Sequence, residues 1–302
     1  MSTPKKYESY LEHKPDIQGF FDPATNTISY VVADPNTKRC AIIDSVMDYE
    51  PHSAAISFEN ADAMVAYIKG RGYEVEWILE THVHADHLSA APYLKEKLGG
   101  QMAIGKYIVT VQETFGKVFN EGTEFQRDGS QFDRLWEEGD TFILGTIPAF
   151  VMHAPGHTPA DVVYVIGDAV FAGDTLFMPD FGTARADFPG GDAETMYKSV
   201  QKIFTLPDEM RMFMCHDYLP EGRTEYQWET TVGEQRESNV HLKEGDPDKF
   251  IKMRTERDAQ LGMPKLIIPS IQVNMRAGNL PTDKETNTPH LKTPVNSVFA
   301  KK

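Results

Sequence analysis

The stretch Thr81-His82-Val83-His84-Ala85-Asp86-His87 carries three imidazoles and a carboxylate within six positions. Residues 75–79 before it are rich in strand-forming side chains, and residues 88–98 after it have apolar side chains at helical spacing. This pattern predicts a strand that ends at the motif and a helix that follows it, a common position for functional groups. Imidazole and carboxylate suit zinc and non-haem iron. The motif therefore predicts a metal site at a strand end.

Three further segments place polar side chains of ligand type where an apolar stretch ends. Pro155 and Gly156 predict a tight turn that brings His157 back towards the strand ends. Asp174 follows the apolar residues 170–172, and His216 follows residues 212–215. One histidine after a strand is more often structural than a ligand, but four such ends in one chain favour a shared site. The candidate ligands are His82, His84, Asp86, His87, His157, Asp174 and His216.

Composition limits the classes of function. A hydrophobic content of 40% over 302 residues is enough for a packed core. The formal net charge of -15 argues against nucleic-acid partners and against binding to an anionic membrane surface. The sequence shows neither an apolar run of about 20 residues nor a secretory signal, so a cytoplasmic protein is expected. Cys40 and Cys215 lie in apolar segments and are expected to be buried thiols without a catalytic role.

The order of predicted elements indicates a layered α/β or α+β fold. Helices alternate with strands in the first half, and a meander of short strands follows. We expect one domain over residues 1–302, with a core at about 16–230 and a helical C-terminal extension at about 231–302 packed on it. The predicted strands are 27–32, 39–44, 75–79, 102–104, 141–144, 147–153, 162–166, 169–172 and 212–215. The predicted helices are 60–69, 88–98, 111–119, 193–204, 231–239 and 248–259.

These four motifs, in this order, resemble those of the metallo-β-lactamase superfamily, whose fold is an αββα sandwich with metals at one edge between two sheets. His-x-His-x-Asp-His, Pro-Gly-His-Thr and Gly-Asp-Thr are more similar to the glyoxalase II and persulfide dioxygenase branch than to the lactamases. Residues 182–188, Gly-Thr-Ala-Arg-Ala-Asp-Phe, resemble persulfide dioxygenases, in particular the bacterial form. The stretch after Asp174 has no Gly-Lys-Phe-Phe-Glu-Gly segment, with which a glyoxalase II typically holds the glutathione moiety through its lysine and aromatic residue. Residues 215–218 and 271–278 also resemble that family.

The resemblance implies a ligand set and a reaction. One Fe(II) per chain would be bound by His82, His157 and Asp174, a facial triad with open coordination positions. The enzyme would oxidise glutathione persulfide with O2 and water to sulfite and glutathione, and a homodimer is expected from the family. His84, Asp86, His87 and His216 would orient ligands or hold a second metal. Arg185, Tyr218 and Arg223 are the expected substrate-binding residues, with Asp187 orienting Arg185.

Two other functions stay open at this point. A glyoxalase II-like thioester hydrolase with two zinc ions, acting on S-lactoylglutathione, would use every one of the same ligands. A noncatalytic diiron sensor is disfavoured, because the sequence shows no flavin-binding segment and no Cys-x-x-Cys. Ligand types alone leave the metal undetermined between iron, zinc and manganese. Which small persulfide is oxidised also stays open.

Overall fold

The computed structural model describes residues 5–283 and 285–300; the predicted domain span also includes residues 1–4, 284, 301 and 302, which lie outside this description. In chain order the strands are β1 Asp16–Asp22, β2 Thr27–Ala33, β3 Arg39–Ile43, β4 Val46–Glu50, β5 Ala55–Ser57, β6 Glu74–Leu79, β7 Leu88–Ser89, β8 Gln101–Gly105, β9 Arg134–Trp136, β10 Thr141–Leu144, β11 Ile147–His153, β12 Val162–Ile166, β13 Ala169–Phe171, β14 Arg211–Phe213 and β15 Glu229–Thr231. The α-helices are α1 Glu59–Arg71, α2 Ala91–Leu98, α3 Ile108–Val118, α4 Ala193–Ile203, α5 Val232–Ser238, α6 Pro247–Asp258 and α7 Ile267–Asn274. Short 3-10 turns span Lys5–Glu12 and Gly173–Thr175.

Two six-stranded sheets form the centre of the molecule. The first has the order β1-β2-β3-β6-β8-β9, and its last four strands run parallel to one another. The second has the order β10-β11-β12-β13-β14-β15 and is antiparallel apart from the β13–β14 pair. A small third sheet joins β5, β4 and β7 beside the candidate ligands. Parallel pairing brings the carboxyl ends of β3 and β6 to one edge of the first sheet.

Strand alternation explains the layers. In β2, Tyr30 packs into the core between the two sheets, whereas its neighbour Val31 packs into the core under the helices. Met64 of α1 contributes to that helix-facing core, and Met196 of α4 does the same on the outer face of the second sheet. The order of layers is helix, sheet, sheet, helix, which confirms the predicted αββα sandwich.

Several predicted element boundaries were wrong. The first helix does not end at Gly70 but continues to Arg71, and Gly72 ends it with a left-handed φ of 66°. Residues 88 and 89 form β7 rather than the start of a helix, and α2 begins at Ala91 with Pro92 in its first turn. Strands β1, β4, β5, β9 and β15 and helix α7 were not predicted.

The C-terminal segment packs against the core at two places. Helix α6 contacts α4 on the second sheet, and α7 contacts β7 next to the His-rich loop. The described residues include no helix long and apolar enough to cross a membrane.

Candidate metal centre

The seven predicted ligands converge at one edge of the sandwich. The loop after β6 carries four of them, and the turn after β11 carries His157. Asp174 lies in the 3-10 turn after β13, and His216 follows β14. Gly173, before Asp174, has a φ of 52°, and a Cβ there would lie 2.6 Å from the Thr81 hydroxyl oxygen. The turn that carries Asp174 therefore requires glycine to approach the His-rich loop.

The first ligand group consists of His82, His157 and Asp174, whose ligand atoms all lie within 4.8 Å of one another. Asp174 Oδ2 is 3.8 Å from His82 Nε2 and 3.7 Å from His157 Nε2. His157 Nδ1 donates to the Arg185 carbonyl oxygen at 2.8 Å, which leaves Nε2, the nitrogen that faces Asp174, as the one available to bind a metal. His82 Nδ1 lies 3.0 Å from Thr81 Oγ1. The three side chains are buried and oriented as ligands.

The second group consists of His84, Asp86 and His87, with His216 beside it. Asp86 Oδ2 lies 3.2 Å from His216 Nε2 and 3.3 Å from His87 Nδ1. His216 Nε2 is also 3.3 Å from Asp174 Oδ1, so Asp174 lies between the two groups. The donor set has room for one ion or two.

Orphaned polar atoms show that this set fits a metal. Nε2 of His82, His87 and His216 and Nδ1 of His84 are buried and form no hydrogen bond with a described residue, even where a carboxylate oxygen lies near, as at His216. Asp174 Oδ1 is in the same state. Buried polar atoms are nearly always satisfied in folded proteins, and several such nitrogens around a carboxylate are what a bound cation would satisfy.

Burial and charge set the protonation of the site. Burial, with the nearby His84 and His157, holds the pKa of His82 well below its usual value, so this imidazole stays neutral and able to bind metal. Burial alone would lower the pKa of His84 too, but the charge of Asp44 raises it well above its usual value. Among the three imidazoles of the motif, His84 is thus the one that hydrogen-bonds to a carboxylate outside the set of seven candidate ligands.

Two acidic residues behind the motif were missed by the sequence analysis. Asp44 accepts hydrogen bonds from the Thr81 amide at 2.7 Å, from Thr81 Oγ1 at 2.8 Å and from His84 Nε2 at 3.0 Å. Glu80 Oε2 lies 3.3 Å from the same His84 nitrogen, and Ser89 donates to its other oxygen. The available signal was Asp44 itself, a charged residue that ends an apolar strand in the same way as the predicted ligands.

Asn274 of α7 also holds the motif. Its side-chain amide donates to the carbonyls of His84 at 2.9 Å and His87 at 2.8 Å, and its oxygen accepts from the Ser89 amide at 2.8 Å. Residues 271–278 resemble the persulfide dioxygenase family, but the sequence analysis predicted no role for the Asn274 side chain.

A cavity of about 890 Å³ opens from Asp86, His157 and Asp174. Residues of the β4–β5 hairpin and residues 261–266 form part of its wall. Phe177, Phe181 and Tyr218 line it, and the Tyr218 ring stacks on His216 with centroids 5.5 Å apart. A small molecule with an apolar part can therefore reach the candidate ligands from solvent.

Two of the three predicted substrate-binding residues line the cavity, and the third does not. Arg185 lines the cavity, but its guanidinium is held by Asp187 at 2.6 and 2.9 Å, as expected, and by the Gly262 carbonyl at 2.6 Å. Tyr218 lines the cavity directly. Arg223 is not among the lining residues. Its guanidinium pairs with Asp217 and Asp180, so the geometry gives no support for its predicted contact with substrate.

Two cations at the cavity were missed. Arg257 and Lys265 line it and are exposed, and neither has a hydrogen bond or ion pair from its side chain to any described residue. By contrast, Arg254, which also lines the cavity, is bound to Asp258. The charges available for an anionic ligand therefore come from the C-terminal segment.

Comparison with known proteins gives relatives of two kinds. A probable metallo-hydrolase of Burkholderia pseudomallei is 52% identical over 293 residues, covering 93% of this chain and 99% of the relative. Glyoxylase B2 of Dictyostelium discoideum is 47% identical, covering 95% and 99%. The human mitochondrial persulfide dioxygenase ETHE1 is 29% identical, covering 87% and 88%. The crystal structure of ETHE1 from Myxococcus xanthus matches with a TM-score of 0.69 and 26% identity, covering 87% of this chain and 100% of that one.

The family model described as the metallo-beta-lactamase superfamily matches residues 23–216. That span contains both central sheets except their strands β1 and β15, and it contains all seven candidate ligands. The fold and the relatives agree with this match. The chain belongs to the metallo-beta-lactamase superfamily.

Proposed function

We propose that the protein is an iron-dependent persulfide dioxygenase that converts glutathione persulfide, O2 and water to glutathione and sulfite. The observation that carries the proposal is the buried set of two histidines and one aspartate, His82, His157 and Asp174, at the inner end of a cavity that a small thiol can enter. The resemblance of residues 182–188 to persulfide dioxygenases supports the same reaction.

The chain's own residues would bind the metal and keep its surroundings dry. Ferrous iron supplies redox chemistry and activation of oxygen, which zinc cannot provide. The bond from His157 Nδ1 to the Arg185 carbonyl fixes the ligand nitrogen towards Asp174. Phe177 and Phe181 cover the inner cavity with apolar surface. In the overall reaction the outer persulfide sulfur is oxidised to sulfite, and the inner sulfur is released as the thiol.

Recognition of the substrate would rest on the cavity mouth. Glutathione carries two carboxylates, and in a chain with a net charge of -15 they need local positive charge. Arg257 and Lys265 are available for that purpose, because their side chains form no hydrogen bond or ion pair with a described residue. Arg185 would act mainly by holding the Gly262 segment of the cavity wall. Tyr218, stacked on His216, would contact the part of the substrate nearest the metal.

A second candidate is the two-zinc thioester hydrolase. The completeness of the second ligand group favours it, since Asp86, His87 and His216 lie together with Asp174 between the groups. The relatives at 52% and 47% identity, which carry hydrolase and glyoxylase names, favour it as well.

The two functions differ in metal count and oxygen use. The protein would be purified without oxygen, its iron and zinc measured by elemental analysis, and oxygen uptake followed with glutathione persulfide. The dioxygenase proposal expects one iron per chain and oxygen uptake that survives in His87→Ala, because this residue lies outside the triad. Hydrolysis of S-lactoylglutathione by a two-zinc form, without oxygen uptake and lost in His87→Ala, would overturn it.

A further inference from the structure

One peptide unit links a candidate metal ligand to a carboxylate on the C-terminal segment. The carbonyl oxygen of Arg185 accepts the hydrogen bond from His157 Nδ1 at 2.8 Å. The amide of Ala186, the other half of the same peptide unit, donates to Asp258 Oδ2 at 2.8 Å. The order of groups is therefore carboxylate, peptide, imidazole, and then the metal-facing Nε2.

Asp258 is held in place by its neighbours. Arg254, one turn earlier in α6, donates to Asp258 Oδ1 from Nε at 2.9 Å and from Nη2 at 2.6 Å. Both residues are buried, at 2% and 3% exposure. Arg254 also donates to the Thr183 carbonyl at 3.0 Å, which ties the pair to the segment that carries Arg185. A buried, paired carboxylate facing one amide is a fixed electrostatic element.

The physical consequence follows from the polarity of the peptide group. A carboxylate that accepts from the N–H draws electron density towards the carbonyl oxygen, which then becomes a stronger acceptor. A stronger acceptor at Nδ1–H makes Nε2 of the imidazole a more basic ligand, as direct carboxylates do in other metal sites. Here the carboxylate would act through a peptide bond.

We propose that Asp258 is a positioning residue that strengthens metal binding by His157 through the Arg185–Ala186 peptide. This inference rests on the proposed role of His157 as a metal ligand. The C-terminal segment would then influence the affinity for the metal, and it also forms part of the cavity wall. If Asp258 served only to pin the segment to α6, its charge would matter for stability and not for metal affinity.

The test compares Asp258→Asn with a matched control. Asp168→Asn makes the same change in another buried aspartate, which Arg211 holds at 3.0 and 2.6 Å at the opposite end of β13. Metal-free protein would be titrated with Zn²⁺ against a chelator. Asp258→Asn should bind Zn²⁺ about 10-fold more weakly, and its His157 Nδ1 proton should move upfield in NMR spectra. Asp168→Asn should leave both unchanged.

A double variant separates charge from folding. Adding Arg254→Gln to Asp258→Asn removes the unpaired buried charge, so stability should recover while Zn²⁺ affinity stays low. Recovery of both, or equal affinities in Asp258→Asn and Asp168→Asn, would overturn the proposal. His157→Ala distinguishes the two levels of the argument. If it leaves Zn²⁺ affinity unchanged, the ligand assignment fails; if it weakens binding and Asp258→Asn does not, only the role of Asp258 fails.

Discussion

Replacing Asn274 by alanine should destabilise the His-rich loop, although Asn274 lies far from that loop in the sequence. The side chain is 4% exposed and makes three hydrogen bonds, to the carbonyls of His84 and His87 and from the amide of Ser89. All three partners are main-chain groups of the segment that carries or follows the first four candidate ligands. Asn274→Ala would leave them unsatisfied in a buried place.

The magnitude follows from the number of bonds. A net loss of about 1 kcal/mol for each bond gives about 3 kcal/mol of unfolding free energy. The carbonyls of His84 and His87 would also lose the contact that fixes their peptide planes. Metal affinity should therefore fall together with stability.

Urea unfolding of the metal-free protein measures the first effect, and Zn²⁺ titration measures the second. Asn239→Ala is the matched control, because Asn239 is also buried and makes three hydrogen bonds, to Gly182 and Gln235 and from the His241 amide. It should destabilise the fold similarly and leave Zn²⁺ affinity unchanged. A loss below about 1 kcal/mol for Asn274→Ala, or equal weakening of Zn²⁺ binding in both variants, would refute the reasoning.

Three further outcomes are expected. Asp174→Ala should lose both bound metal and turnover in elemental analysis and activity assays, since the carboxylate lies between the two ligand groups; retained metal would contradict this. Arg257→Gln with Lys265→Gln should raise KM for glutathione persulfide with little change in kcat, whereas Lys252→Gln on the same helix as Arg257 should change neither; equal effects would count against a carboxylate site. Burial lowers the pKa of His241 from 6.5 to about 4. As the pH falls, His241 is therefore protonated in the unfolded chain at a higher pH than in the folded one. Stability in urea melts should therefore fall as pH drops from 6.5 to about 4, and His241→Gln should flatten that fall.

The positions of the candidate ligands could be predicted because the signal is local. Each ligand follows an apolar stretch, and the carboxyl ends of neighbouring strands meet at one edge of a sheet. The same logic would have found Asp44 at the end of β3, had charged residues at every strand end been considered. The metal-ligand motifs and the strand alternation can both be recognised within a few consecutive residues.

Apart from the contact between Asp187 and Arg185, the partners of charged side chains could not be predicted in the same way. Arg185 and Arg223 were both expected to bind an anionic substrate, and for Arg223 the sequence does not show what neutralises its charge. In the structure Asp187 takes up the first guanidinium, and Asp217 and Asp180 take up the second. Only tertiary contacts reveal which cations remain free.

The missed strands are short or irregular in pattern. Strand β5 has three exposed residues, and β1 includes Gly19, where a Cβ would lie 2.9 Å from the Trp228 indole nitrogen. Such strands form because a neighbour offers hydrogen bonds, and their own residues give little preference. Strand β5 forms because it pairs with β4, and β1 forms because it pairs with β2. The local sequence pattern does not contain this information.

Family membership and specificity lie in different parts of this chain. The family model covers residues 23–216, which include every candidate ligand. Asp258, Asn274, Arg257 and Lys265 all lie beyond that span, yet two of them hold ligand segments and two face the cavity. On these proposals the superfamily core supplies the atoms that would bind metal, and the C-terminal segment supplies groups that would orient those atoms and contact the substrate. Relatives that share the core and differ in this segment are then expected to share ligands and to differ in substrate.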